Sequence, residues 1–219
     1  MLVVLIGNSQ KHSIKKVLNY LKKNFIIVVY LDSSYLSKEK ISKKLYSLNI
    51  DILISYYNYF IFPISLLKKT KLININFHPG SRDFPGFGCY NFALLKNSKS
   101  YGCIVHEINK NIDQGPIISE RTFNIKNINN VEELQKITEK HMYKLFIEVF
   151  NSYLKNKKFN HNKKIKWSRR PYTREDFNKI FILNKKLNEN LLTILKSTFH
   201  KRFDNKYFLG KYKLIVDEK

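Results

Sequence analysis

Short apolar runs alternate with amphipathic segments along most of the chain. The run Leu2–Ile6 ends at a glycine and predicts a buried strand, and the apolar residues between 14 and 21 recur at helical spacing. The same alternation predicts further strands over 25–31, 51–55, 71–77, 102–108 and 116–123, and helices over 36–48, 63–67, 90–96 and 131–154. This order predicts an α/β fold: an open, mainly parallel, Rossmann-like sheet with helices on both faces.

The character of the chain changes after a connection rich in Lys and Asn at 155–166. Trp167–Tyr172 is predicted to be extended, and Thr173 can cap a following helix. A helix over 187–200 and a terminal hairpin through Gly210 follow. We therefore expect a main domain over residues 1–155, with a small helix–hairpin extension over residues 156–219 packed on it.

The strand predicted over 71–77 leads into a loop, residues 79–88, that holds two of the five prolines and three of the seven glycines. Long loops inside compact domains are usually functional. Asn76 and His78 precede the loop and are two positions apart, so both face the same side of the strand. An amide beside an imidazole suits the stabilisation of an oxyanion and the transfer of a proton. The same two side chains could instead satisfy backbone groups of the loop.

Asp113 precedes a Gly-Pro turn and is the next candidate. Its carboxylate could orient His78 or accept a proton, or it could form an ordinary Asx-turn. We interpret His106 as a structural polar contact, and no ligand spacing supports a metal site. Cys89 and Cys103 are interpreted as packing residues of a protein in a reducing compartment.

The charge balance is strongly basic, with 40 Lys and Arg against 17 Asp and Glu and a net charge of +23. Lysine accounts for 34 of the 40, whereas proteins that read nucleic acids favour arginine. Abundant Asn, Ile, Phe and Tyr accompany the lysines, as an AT-rich coding bias would produce. Nucleic acid is therefore not the expected partner, and a basic nucleic-acid-binding module stays the non-enzymatic alternative.

Several protein classes are disfavoured by motifs that the sequence lacks. The apolar runs are too short to cross a membrane, and Leu2–Ile6 lacks the features of a signal peptide, so we expect a cytoplasmic protein. The first loop, Gly7-Asn8-Ser9, has a single glycine, which disfavours a dinucleotide cofactor. The phosphate-binding P-loop and the serine nucleophile elbow are also absent.

Asn76-x-His78, the Pro/Gly loop 79–88 and Asp113-x-Gly115 together resemble the folate-dependent formyltransferase superfamily. The superfamily includes glycinamide ribonucleotide, methionyl-tRNA and nucleotide-linked amino-sugar N-formyltransferases. Three segments resemble the amino-sugar branch, namely 55–59, 83–94 and 167–174.

This resemblance implies an enzyme that moves a formyl group from N10-formyltetrahydrofolate to an amine, with no metal. The acceptor would be a nucleotide-linked amino sugar, of the dTDP-3- or 4-amino-dideoxyhexose type, used in surface glycan synthesis. Asn76, His78 and Asp113 match the superfamily's catalytic triad. Related amino-sugar enzymes suggest a homodimer that uses the C-terminal part.

The resemblance also implies where the folate lies. Its pterin would rest against main chain near Phe60, Ile61 and Phe62, and near Ile112 in the turn that leads to the triad aspartate. The sequence departs from the superfamily at Ile104, where threonine is frequent, and this change should perturb local hydrogen bonding without abolishing catalysis.

The loop 79–88 offers candidate substrate-binding residues. Gly86 and Gly88 permit a close approach to main chain. Arg82 is the only arginine in the first 120 residues, and its guanidinium could pair with a diphosphate or remain a solvated loop charge.

Other members of the superfamily remain alternatives. A methionyl-tRNA formyltransferase would carry further C-terminal residues for tRNA, and a glycinamide ribonucleotide enzyme would carry a Gly-Ser-Asn phosphate-binding loop. A formyltetrahydrofolate hydrolase would use water in place of the amine.

Overall fold

A computed structural model describes residues 1–128, 130–183, 191–198, 206–209 and 212–215. The strands of the main sheet are β1 (Leu2–Gly7), β2 (Ile27–Asp32), β3 (Ile52–Tyr56), β4 (Ile73–His78), β5 (Ser100–Glu107) and β6 (Ile117–Asn124). Its helices are α1 (His12–Asn24), α2 (Lys38–Tyr46), α3 (Ile64–Leu67), α4 (Cys89–Leu95) and α5 (Val131–Asn156). The C-terminal part contributes α6 (Arg174–Lys179), β7 (Ile182–Leu183), α7 (Leu191–Thr198), β8 (Lys206–Leu209) and β9 (Tyr212–Ile215).

The main sheet has the strand order β2-β1-β3-β4-β5-β6. Strands β1 to β4 pair in parallel, and β5 and β6 pair antiparallel. The predicted mainly parallel α/β sheet is therefore confirmed, with an antiparallel edge that the alternation of strand and helix could not indicate. Because β5 runs against β4, His106 lies directly opposite Asn76 in the sheet.

The period-two pattern of the central strands explains the helices on both faces. Val3 and Leu5 of β1 pack with α1 and α5 in one apolar cluster. Val4 and Ile6 point the other way and pack with α2 and α3. A strand that is buried on both faces must be apolar throughout, as β1 is. The two apolar layers fix the sheet and hold its carboxyl edge in place.

Some elements of the structure differ from those predicted from the sequence, and others agree. Strand β2 begins at Ile27, later than predicted, and Ile26 is 98% exposed, so the apolar run misplaces the start. Thr173 forms the predicted cap in full, because its side chain and that of Asp176 bond reciprocally to each other's backbone N–H. The short strand β7 pairs with β8 and was not predicted.

The predicted C-terminal helix and hairpin are present among the described residues as α7 and the pair β8–β9. Gly210 of the predicted hairpin lies outside the described residues. The division at residues 155 and 156 stays a prediction, and α5 continues to Asn156. Within the described ranges, no helix has the length and apolar character needed to cross a membrane.

Candidate active site

Polar side chains gather at the carboxyl end of β4. Asn76 and His78 face the same side of the strand, and the antiparallel pairing adds His106 from β5. His78 and His106 are 4% and 2% exposed, whereas Asn76 is partly exposed. Buried polar groups are stable only when they are bonded, so their partners define what the site can do.

Asp113 provides the partner that joins these side chains. It follows β5 in a turn and adopts a left-handed backbone conformation, with φ of 45°. Its Oδ2 lies 3.2 Å from His78 Nδ1, and its Oδ1 lies 3.3 Å from His106 Nε2. The N–H of Gly86 also donates to Oδ2 at 2.9 Å. The carboxylate therefore links β4, β5 and the loop 79–88.

The amide of Asn76 is oriented by two acceptors. Its Nδ2 donates to Asp113 Oδ1 at 3.2 Å and faces His106 Nε2 at 3.1 Å. His106 Nδ1 faces the carbonyl oxygen of Glu107 at 2.9 Å, which requires a proton on Nδ1 and leaves Nε2 as an acceptor. His106 thus fixes which end of the amide carries the hydrogens.

Both ring nitrogens of His78 face acceptors. Nδ1 faces Asp113, and Nε2 lies 3.0 Å from the carbonyl oxygen of Phe84. A neutral ring can donate to only one of them, and the carboxylate is the stronger acceptor. Nε2 then carries a lone pair, and a proton gained there would be held by the Phe84 carbonyl.

The surroundings of His78 and Asp113 lower the pKa of both groups. Burial lowers the pKa of His78, against the opposing effects of Asp113 and the Phe84 carbonyl. Burial alone would raise the pKa of Asp113, but His78, His106 and the Gly86 N–H together bring it far below its ordinary range. At neutral pH the site therefore holds a carboxylate beside a neutral imidazole.

These directions predict how stability depends on pH. In the unfolded chain a histidine binds a proton with a pKa of about 6.5, whereas folding lowers the pKa of His78. The free energy of unfolding should therefore fall as the pH drops from about 7.5 to about 5.5, and it should fall less in His78→Asn. His12→Asn, on the exposed start of α1, is the control. Denaturant unfolding at the two pH values measures the difference, and equal declines in His78→Asn and wild type would contradict this reading.

The glycines of the loop 79–88 make room for the chain itself. A Cβ on Gly86, whose φ is 87°, would meet the backbone of Tyr172, and one on Gly88 would meet the ring of Phe177 at 2.6 Å. A contact of Gly86 and Gly88 with substrate stays a prediction.

Arg82 lies on the exposed side of the same loop. Its side chain is 46% exposed, and its Nε is 3.9 Å from Oε2 of Glu120, which is itself 8% exposed. Burial raises the pKa of Glu120, and Arg82 counteracts part of that effect. Arg82 is thus loosely paired and retains donors that face solvent.

The residues implied for the folate divide into two kinds. Ile61 and Ile112 are 69% and 54% exposed, and Phe60 is partly buried. Phe62 packs into the apolar cluster that contains residues of α2 and α3, so its side chain is buried. Tyr59, which precedes Phe60 in the chain, is 84% exposed.

Two residues of the site were not assigned to it from the sequence. His106 was interpreted as a structural contact, yet its Nε2 accepts from Asn76 and lies 3.3 Å from Oδ1 of Asp113. Its place opposite Asn76 depends on the antiparallel register, which local pattern does not show. Trp167 lies with its ring centre 6.0 Å from that of His78 and 5.2 Å from that of His106. Its position depends on a tertiary contact of the extension.

Two other candidates contribute no chemistry. Burial raises the pKa of both Cys89, to about 12, and Cys103, so neither thiol forms a thiolate readily. Among the residues that the structure describes, no group of three or more His, Cys, Asp or Glu side chains could hold a metal ion.

The formyl transferase family matches this chain over residues 3–150, which is more than half of its length. The chain belongs to this family. The matched residues of the chain include Asn76, His78, His106 and Asp113, whereas Trp167 lies beyond them.

One curated relative of the chain is the bifunctional polymyxin resistance protein ArnA of Wigglesworthia glossinidia brevipalpis. The two are 30% identical over 144 residues, which cover 64% of this chain and 19% of ArnA. The chain thus spans about a fifth of the length of this relative.

Solved structures share the fold of the chain. A 4-N formyltransferase from Francisella tularensis has a TM-score of 0.75 and 17% identity, over 100% of this chain and 97% of that one. An N-formyltransferase from Helicobacter canadensis, in complex with folinic acid and dTDP-3-aminofucose, has a TM-score of 0.70 and 19% identity, over 94% and 85%. At these identities the similarity establishes the common fold.

Proposed function

We propose that the protein transfers a formyl group from N10-formyltetrahydrofolate to the amine of a nucleotide-linked amino sugar. The observation that carries this proposal is the bonded set of Asn76, His78 and Asp113 at the carboxyl edge of the sheet. The choice of reaction is supported by the chain's membership of the formyl transferase family and by the fold that it shares with sugar N-formyltransferases. We further propose that it acts in the cytoplasm.

The folate would supply an activated formyl group to this site. The exposed apolar side chains of Ile61 and Ile112 and the exposed ring of Tyr59 fit such a ligand. Exposed apolar groups beside a few convergent polar ones are typical of sites for flat organic ligands. We therefore infer that the segment 59–62 and Ile112 hold the folate ring.

Asn76 would act on the charge that develops during transfer. When the amine attacks the formyl carbon, the formyl oxygen gains negative charge. Nδ2 of Asn76 can donate to that oxygen by releasing its bond to His106 or to Asp113, which are its acceptors here. A positioned donor of this kind stabilises the transition state more than the ground state.

His78, oriented by Asp113, would accept the proton from the amine and return it. The new bond joins the formyl carbon to the sugar nitrogen, the bond from that carbon to N10 breaks, and one proton leaves the amine while one reaches N10. Asp113 holds His78 with Nδ1 protonated, so Nε2 can receive the proton and the Phe84 carbonyl can stabilise it there. A neutral imidazole with a lowered pKa is suited to returning that proton at once.

The proposed acceptor carries an anionic diphosphate, and we propose that the guanidinium of Arg82 binds it. Arg82→Ala should raise the KM for the sugar nucleotide about tenfold and change the KM for the folate less, since a charge-assisted pair is lost. Arg82→Lys keeps the charge without the planar fork and should give an intermediate KM. Steady-state kinetics with each substrate varied measures both effects. Equal changes in the two KM values, or none, would remove Arg82 from the substrate site.

The reaction is tested by a formyl-transfer assay against a panel of nucleotide-linked amino sugars. The panel varies the nucleotide and places the amine at C3 or C4, and mass spectrometry detects the formamide product. A matched set of sugar nucleotides with a hydroxyl in place of the amine controls for hydrolysis of the folate. Release of tetrahydrofolate at equal rates in both sets would favour a hydrolase.

A further inference from the structure

The segment Trp167–Tyr172, which bends at Ser168 and Arg169, lies along the loop 79–88. The N–H of Ser168 donates to the carbonyl of Arg82, and the N–H of Tyr172 donates to that of Pro85. The N–H of Phe87 donates in return to the carbonyl of Tyr172. The loop that covers His78 is therefore fixed from outside by residues beyond the family match.

Trp167 is the residue of this segment that reaches the active-site histidines. Its ring meets those of His78 and His106 edge to face, with interplanar angles of 69° and 83°. Its indole N–H donates to the carbonyl of Gly115 at 2.9 Å, two residues after Asp113. The indole is thus held at the turn that carries the carboxylate while it touches both imidazoles.

The neighbouring contact with Gln114 ties the same turn to the segment. The Nε2 of Gln114 donates to the carbonyl of Asp113 at 2.8 Å and to that of Arg169 at 3.2 Å. Two side-chain hydrogen bonds therefore join the turn at Asp113 to the segment. Trp167 donates one of them to Gly115, and Gln114 donates the other to Arg169. Asp113 holds a left-handed conformation, which costs energy unless its surroundings determine it.

We propose that Trp167 is a positioning residue, which holds the rings of His78 and His106 against the turn of Asp113. Its indole is bulky enough to restrict both rings and offers no acceptor that would compete for the hydrogens of Asn76. The consequence for the rate depends on the proposed formyl transfer, whereas the consequence for the ring positions does not.

The test compares Trp167→Phe, which keeps an aromatic ring but loses the indole N–H, with Trp167→Leu, which loses both. The kcat should fall roughly threefold to tenfold in the first and about thirtyfold or more in the second, with each KM changed less than about threefold, because misplaced groups slow the chemical step. Arg170→Gln, on the same segment but exposed and paired with Asp176, is the control and should keep the wild-type kcat.

A second measurement needs no activity. An aromatic ring displaces the NMR resonances of nearby protons, so the ring signals of His78 and His106 should move in both Trp167 variants. The ring signal of His12, at the exposed start of α1, should stay. Unmoved signals of His78 and His106, or a raised KM with an unchanged kcat, would overturn the proposal. If neither wild type nor variants transfer formyl groups, the NMR result still decides the positioning role, and only the proposed function fails.

Discussion

Asp113→Asn should lower the turnover of formyl transfer at least about a hundredfold while the protein stays folded. The amide has nearly the shape of the carboxylate, but only its oxygen accepts, so it cannot accept from Asn76 with one end and from His78 and the Gly86 N–H with the other. His78 would then lose the partner that holds the proton on Nδ1. Steady-state turnover, together with a thermal unfolding curve for each variant, measures this loss.

Asp51→Asn is the matched control for this substitution. Asp51 accepts from the N–H of Leu2 at the amino ends of the strands, at the opposite edge of the sheet. Its loss should affect stability and leave turnover per folded molecule near that of wild type. Near-normal turnover in Asp113→Asn would remove this carboxylate from the mechanism.

Asn76→Ala should lower turnover by roughly a hundredfold to a thousandfold, since one oxyanion donor contributes that much in acyl transfer. The substitution also leaves His106 Nε2 and Asp113 Oδ1 without their shared donor. The fall should be mainly in kcat, because the charge on the formyl oxygen develops only in the transition state.

Asn74→Ala is the control for this second loss. Asn74 lies two residues earlier on β4, so it shares the face of Asn76, but its amide donates to the carbonyl of Leu67 and its oxygen accepts from Thr70. We expect lower stability with little change in kcat. A reduction of kcat in Asn74→Ala as large as that in Asn76→Ala would mean that the effect arises from the strand and not from the donor.

Much of the fold could be predicted because its causes are local. The apolar run of β1, the spacing of α1 and the cap at Thr173 each depend on neighbours in sequence, and each is present in the structure. The candidate triad could also be chosen from the sequence, because Asn76 and His78 share a strand face and Asp113 completes a family motif.

The rest of the site depends on pairings that sequence pattern does not show. His106 reaches Asn76 because β5 runs antiparallel to β4, and an apolar strand carries no mark of its direction. Trp167 reaches the histidines because a segment about ninety residues further along the chain than His78 packs on the loop 79–88. The glycine at 86 could be expected to allow a close approach, but the approaching group, Tyr172, could not be named.

We propose that the amine of a nucleotide-linked sugar receives the formyl group through Asn76, His78 and Asp113. The most direct measurement follows both products in one reaction, tetrahydrofolate by absorbance and the formylated sugar nucleotide by mass spectrometry. We expect equal amounts of the two products with wild-type protein, and a parallel loss of both with His78→Asn. Tetrahydrofolate formed without formylated sugar, or formylation undiminished in His78→Asn, would contradict it.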